Sequence, residues 1–263
     1  MNLDWSLLAA PFVAGLLVLA THVVLGIDVL RRGIIFIDLA IAQVAGLGAV
    51  AASLTDLDEM FHGFGPSGLG AQLAAGLAAG AGALLLTWCE RRWPDIQEAL
   101  IGLLFVFAAA AGIVLLAGNP HGSEHLRDLL AGQILWAGWG QIGVVAALSA
   151  AVLVGRAWFA RRGGGEGFAF YALFAVAVTA SVQLVGVLLV FASLIAPAVA
   201  TRALGGNRRL AGAFGVGALG YGGGLGGSLL FDLPAGAAIV CLLVPLAVAG
   251  LAVWRRPASA DFS

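Results

Sequence analysis

The sequence predicts an all-α fold, a polytopic transmembrane helical bundle of eight to nine spans in one domain over residues 1–263. Three observations carry that expectation. Of the 263 residues, 61% are hydrophobic and 10% charged, against about a quarter charged in soluble globular chains. The mean hydropathy is +1.03. The apolar residues also fall into runs of about 20 or more, the length a helix needs to cross the hydrocarbon core. Charge this sparse cannot coat a water-facing surface, which excludes a soluble enzyme, a nucleic-acid binder and a disordered chain. A net charge of −1 leaves no basic footprint for DNA or RNA.

Eight runs qualify: 5–30, 33–54, 67–89, 96–117, 132–158, 168–204, 208–230 and 234–254. The first has no basic segment ahead of it and is about twice as long as the apolar part of a signal peptide, so it reads as a span. The run at 168–204 has two readings. It is either one span followed by a helix parallel to the membrane, or two short passes turning near Ser181-Val182-Gln183.

Arginines set the orientation. All 13 positive charges are arginine, with pairs at Arg31/Arg32, Arg91/Arg92, Arg161/Arg162, Arg208/Arg209 and Arg255/Arg256. The intervening loops, 55–66 and 118–128, hold one arginine, several acids and three of the four histidines. The positive-inside rule therefore puts the arginine loops in the cytoplasm and the acid/histidine loops outside. The Arg202–Arg209 segment is cytoplasmic only if the run at 168–204 returns to that side, which favours nine crossings. Glycines at GxxxG spacing, Gly76/Gly80 and Gly220/Gly224 with its overlapping neighbours, suit close helix packing or a span that rocks. Cys89 and Cys241 are too isolated to suggest a metal site or a disulfide and read as small apolar residues.

Ionisable side chains in the apolar runs are candidates for function, because even lenient scales charge ~2.5–3.5 kcal/mol for one at the helix centre. Asp38, early in the second run, is either a carboxylate of a cation path or a partner of the adjacent arginines. His22, about 13–14 Å from the end of the first run at 1.5 Å per residue, is either a ligand or bonded to a neighbouring helix. Asp28 suits an interfacial salt bridge. Glu98 suits the positive end of the helix it opens.

The outward segment Pro120-His121-Gly122-Ser123-Glu124-His125 brings His121, Glu124 and His125 to one face if it is helical. Two imidazoles and a carboxylate suit zinc or a similar metal. The segment is a metal-docking or gating patch, a plain hydrated loop, or the HxxEH of a membrane zinc peptidase. The peptidase reading needs a third ligand. Glu166, the one acid between Asp128 and Asp232, falls on the opposite side of the membrane.

Five stretches, in order, resemble the permease subunits of ABC importers for zinc, manganese and ferrous iron. They are Leu30-Arg31-Arg32-Gly33 with Phe36-Ile37-Asp38; Glu98-Ala99-Leu100-Ile101-Gly102; Leu129 to Leu135; Gly186 to Val190 with Leu194 to Ala198 and Ala200-Thr201-Arg202; and Asp232-Leu233-Pro234-Ala235-Gly236. The resemblance implies an ABC importer permease fold in a bacterial inner membrane. It implies a homodimer surrounded by membrane lipid, with cytoplasmic ABC ATPase subunits and an extracytoplasmic metal-binding protein as partners. The chain itself would be neither an enzyme nor a holder of a resident cofactor. ATP would bind the partner subunit, in keeping with the lack of a GxxxxGK[ST] motif here, and the divalent metal would be cargo. A coupling segment at about 201–209, with Arg202, Arg208 and Arg209, would meet the ATPase. Where that family commonly has a histidine four residues after the aspartate, this chain has Ala42. The ion site would then draw on His22, or on His121, Glu124 and His125. A permease for metal chelates of the siderophore or cobalamin class is the alternative.

Overall fold

The computed structural model describes residues 8–53, 55, 69–117, 132, 134–162 and 166–254. Among these lie nine α-helices: α1 (Ala9–Arg32), α2 (Ile37–Ser53), α3 (Leu69–Arg92), α4 (Gln97–Leu116), α5 (Trp139–Arg162), α6 (Glu166–Val185), α7 (Val187–Ala200), α8 (Gly206–Phe231) and α9 (Ala235–Val253). Short 3-10 turns at Pro94–Ile96 and Ile134–Trp136 precede α4 and α5. Six segments are long and apolar enough to cross a membrane, and α2 and α7 are shorter apolar helices.

One end of the bundle gathers the arginines. Arg32 meets Glu90 at the end of α3 at 3.3 Å and lies 4.4 Å over the Phe170 ring at the start of α6. Arg156 of α5 holds Asp28 of α1 at 2.9 Å, the interfacial pair expected for Asp28. Glu98 of α4 accepts the N–H of Phe36, just before α2, at 3.3 Å. Arg209 of α8 reaches the Ala198 carbonyl of α7 at 3.5 Å. Gly212 sits against Thr201, Leu204 and Trp254, which brings in the end of α9. Each of the nine described helices thus has one terminus here.

The run at 168–204 is two helices that turn at Gly186 rather than at Ser181–Gln183. Gly186 has φ 78° and ψ 161°, a region that essentially glycine alone occupies. Its Cα packs beside Gly132, where a Cβ would lie 2.1 Å from the Val185 carbonyl carbon. From this break α7 returns to the arginine end. Its 14 residues span about 21 Å at 1.5 Å per residue, short of the ~30 Å core. Pro197 lies inside α7, and its carbonyl accepts both the N–H and the hydroxyl of Thr201, at 3.3 and 2.9 Å. That closes the helix at the head of the 201–209 segment.

The second run starts later than its apolar pattern suggests. Gly33, with φ 73°, caps α1 in the left-handed region, and a turn follows before α2 begins at Ile37. Asp38 therefore lies in the first turn of α2. Glycines set the closest approaches in the interior. A Cβ at Gly26 would lie 2.0 Å from the Leu194 carbonyl oxygen, at Gly217 2.5 Å from Leu19, and at Gly224 2.4 Å from Ile239 Cα. Gly76 and Gly80, by contrast, meet nothing within 4 Å. Among the described residues their small-residue face is not part of an internal contact. α4 and α5 are the least covered spans, with apolar side chains such as Phe107, Val114 and Val154 turned outward.

Candidate functional site

Asp38 is 1% exposed, and neither carboxylate oxygen has a hydrogen-bond partner among the described residues. The arginines that close α1 are engaged elsewhere: Arg31 reaches Asp28 at 3.9 Å and Arg32 reaches Glu90. Glu98 is brought to the same helix start, where its Oε1 accepts the N–H of Phe36, two residues before Asp38, at 3.3 Å.

Glu98 also occupies a first helical turn, that of α4. One of its oxygens accepts the Phe36 N–H, which caps the start of α2 from another helix, and the other is buried without a partner. Two helix N-termini and two acids thus converge. Three buried carboxylate oxygens remain unpartnered there. Taking an ionised carboxylate out of water costs several kcal/mol unless a countercharge compensates it. The positive ends of α2 and α4 supply part of that, and an incoming cation would supply the rest.

His22, in the middle of α1, is fully buried. Its Nδ1 lies 2.7 Å from the Ser193 hydroxyl of α7. Ser193 donates its one proton to the Val190 carbonyl at 3.0 Å, so Nδ1–H is the donor to Ser193. The Nε2 lone pair is left bare, with no partner among the described residues. That is the tautomer a metal-ligating imidazole takes when its other nitrogen is held by a hydrogen bond. The Tyr221 hydroxyl of α8 sits beside Ser193 without a hydrogen bond of good geometry. His22 is thus bonded to a neighbouring helix and keeps one nitrogen without a partner among the described residues.

His22 and Asp38 do not come together in a ready-made cage. Among the described residues no cluster of three or more His, Cys, Asp and Glu side chains has the geometry to hold a metal. His121, Glu124 and His125 lie outside the described residues. On the 201–209 segment Arg202 and Arg208 are exposed, whereas Arg209 is half-buried against the end of α7. Glu98 is the residue whose place beside Asp38 the sequence did not reveal. Its position in a helix's first turn gave it a sufficient role without a partner 60 residues away in the chain.

Residues 167–254 match the model of the ABC 3 transport family. No curated protein matches the sequence. Among solved structures, the fold is similar to PsaBC from Streptococcus pneumoniae in complex with Fab. The TM-score is 0.74 at 19% identity, covering 94% of this chain and 92% of that one. It is also similar to a structure described as an inward-facing conformation of a metal-chelate type ABC transporter. There the TM-score is 0.58 at 16% identity, over 92% of this chain and 85% of the other. The stretch that forms α6–α9 thus matches the ABC 3 transport family, and the whole length has the helical fold of these two solved structures, that of a multi-pass membrane protein.

Proposed function

We propose that this chain is the permease subunit of an ATP-driven importer of divalent transition-metal cations, zinc or manganese, and works as a homodimer. A cytoplasmic pair of ABC ATPases would power it, and an extracytoplasmic metal-binding protein would deliver the cation. The observation that carries the reading is Asp38 and Glu98 at adjoining helix starts, with three buried oxygens that have no hydrogen-bond partner among the described residues. Two carboxylates are hard, anionic ligands for a divalent cation, and an imidazole Nε2 is a borderline one. The His22 nitrogen lies further along the bundle as a separate single ligand. Stations with one or two ligands suit passage, because a closed four-ligand cage would trap the ion. His121, Glu124 and His125, on the side expected to face outward, would be the docking patch.

The coupling segment has a mechanical route to this path. Arg202 and Arg208 offer charge to an ATPase, while Arg209 and Thr201 tie the segment to the end of α7. α7 in turn carries Ser193, which holds His22. A push at 201–209 would therefore shift Ser193 against α1 and reorient the bare nitrogen. A metal-chelate cargo would instead require a wide, aromatic-lined passage, and the unpartnered carboxylates suit a bare cation better.

The test is radiometal uptake in cells deprived of their own importers but supplied with the cognate ATPase and binding protein. Labelled zinc or manganese should accumulate, and excess unlabelled cation, but not a siderophore or cobalamin, should compete. Competition by the chelate alone would overturn the reading. In the same assay Arg202→Glu with Arg208→Glu should abolish uptake while the dimer still assembles.

A further inference from the structure

A cavity of about 490 Å³ opens at the arginine end between α1, α5 and α6, within the roughly 300–1,000 Å³ range of small-ligand pockets. Its polar side is made by Arg31, Arg32, Arg156 and Asp28, and its apolar side by Leu25, Phe159 and Leu173 among others. The ion-path acids are not part of its lining.

The charges are unequal. Asp28 is held by Arg156 through two hydrogen bonds of 2.9 and 3.3 Å. Arg32 bonds Glu90 and stacks on Phe170. Arg31 makes a longer contact with Asp28, 3.9 Å, and its side chain is 67% exposed. Arg209 adds a further positive charge within electrostatic reach of Arg31 and Asp28. Four guanidiniums thus face two carboxylates, and Arg31 is the most exposed of those in the two Asp28 ion pairs.

We propose that this cavity binds a phosphate anion, and that the anion is the headgroup of an anionic phospholipid. A guanidinium presents paired N–H donors that match phosphate oxygens. Basic pockets between membrane helices on the cytoplasmic side are suited to anionic headgroups. The apolar wall decides the source. Leu25, Phe159, Phe170 and Leu173 line the pocket. Acyl chains would lie along such a wall, whereas a free phosphate would leave it wet. The bound lipid would brace α5 and α6 against α1 at the end where α7 meets the coupling segment.

The experiment is native mass spectrometry of the full-length permease released from nanodiscs containing phosphatidylglycerol or phosphatidylcholine. The wild type should retain phosphatidylglycerol in preference to phosphatidylcholine. Arg31→Gln should lower that retention about tenfold, the equivalent of one charge-assisted contact. Arg31→Lys, which keeps the charge and loses the fork, should fall between the two. Glycerol phosphate added at millimolar concentration should not displace the lipid. Equal retention of both lipids, or retention unchanged in Arg31→Gln, would overturn the proposal. Displacement by glycerol phosphate would overturn the lipid source.

Discussion

Asp38 and Glu98 each occupy the first turn of a helix, and each helix start lies at the same end of the bundle. That arrangement makes opposite demands on stability and on function. Asp38→Asn removes a buried carboxyl group that has no hydrogen-bond partner among the described residues, so the melting temperature should stay the same or rise. A thermal melt in detergent checks this. A fall in stability would mean that the carboxylate is paired in the fold rather than kept for a cation. Ser193→Ala should act the other way. It leaves the buried His22 Nδ1–H without its acceptor, a loss of about 1–3 kcal/mol, which the same melt reads. The type of Asp38 and the burial of His22 were legible from the sequence, because an ionisable group in an apolar run is conspicuous. The depth of Asp38 was not. A hydropathy run does not show that Gly33 ends α1 and that helix resumes only at Ile37.

At the scale of elements, the glycines divide into two kinds that the sequence does not distinguish. Gly26 and Gly224 touch backbone of a neighbouring helix, whereas Gly76 has open space around it. Gly26→Ala would drive a methyl group into the Leu194 carbonyl and separate α1 from α7. It should cost about 1–3 kcal/mol, as overpacking does. Gly76→Ala should be neutral to the folded chain, or stabilising by up to about 1 kcal/mol through helix propensity. Comparing folded yield and melting midpoint of the two variants tests the division. The break between α6 and α7 shows a related limit. Ser181 looks like a turn residue, yet it bonds the Ala177 carbonyl one turn back at 2.8 Å and stays helical. Gly186 makes the break because its backbone adopts a conformation that other residues resist. One GxxxG pattern was therefore legible as packing only in part, at Gly220/Gly224.

The whole molecule rests on a sorting of charge that the sequence states openly. Runs of apolar residues gave the spans, and arginine pairs marked one side. The fold gathers those arginines at one end through Asp28, Glu90 and helix termini. The alternation of the described helices about the arginine end makes a prediction about sidedness. Single cysteines at Asn207 and at Leu233, in a background with Cys89 and Cys241 replaced by Ala, should label from opposite faces of intact cells. Asn207 should react only after permeabilisation. Labelling of both from one face would contradict the path. What the sequence could not supply is the meeting of Asp38 with Glu98. That depends on how α2 and α4 pack, and no local pattern encodes the Phe36–Glu98 hydrogen bond that joins the two helix starts.

Asp38 and Glu98 are expected to carry the transported cation. The direct measurement is ATP-driven uptake of radiolabelled zinc or manganese into proteoliposomes holding the complete transporter, with ATP hydrolysis recorded in the same vesicles. Asp38→Asn and Glu98→Gln should each lower uptake about tenfold or more, the worth of one charged ligand, while hydrolysis stays close to the wild type. Uptake equal to the wild type in both variants would contradict the account.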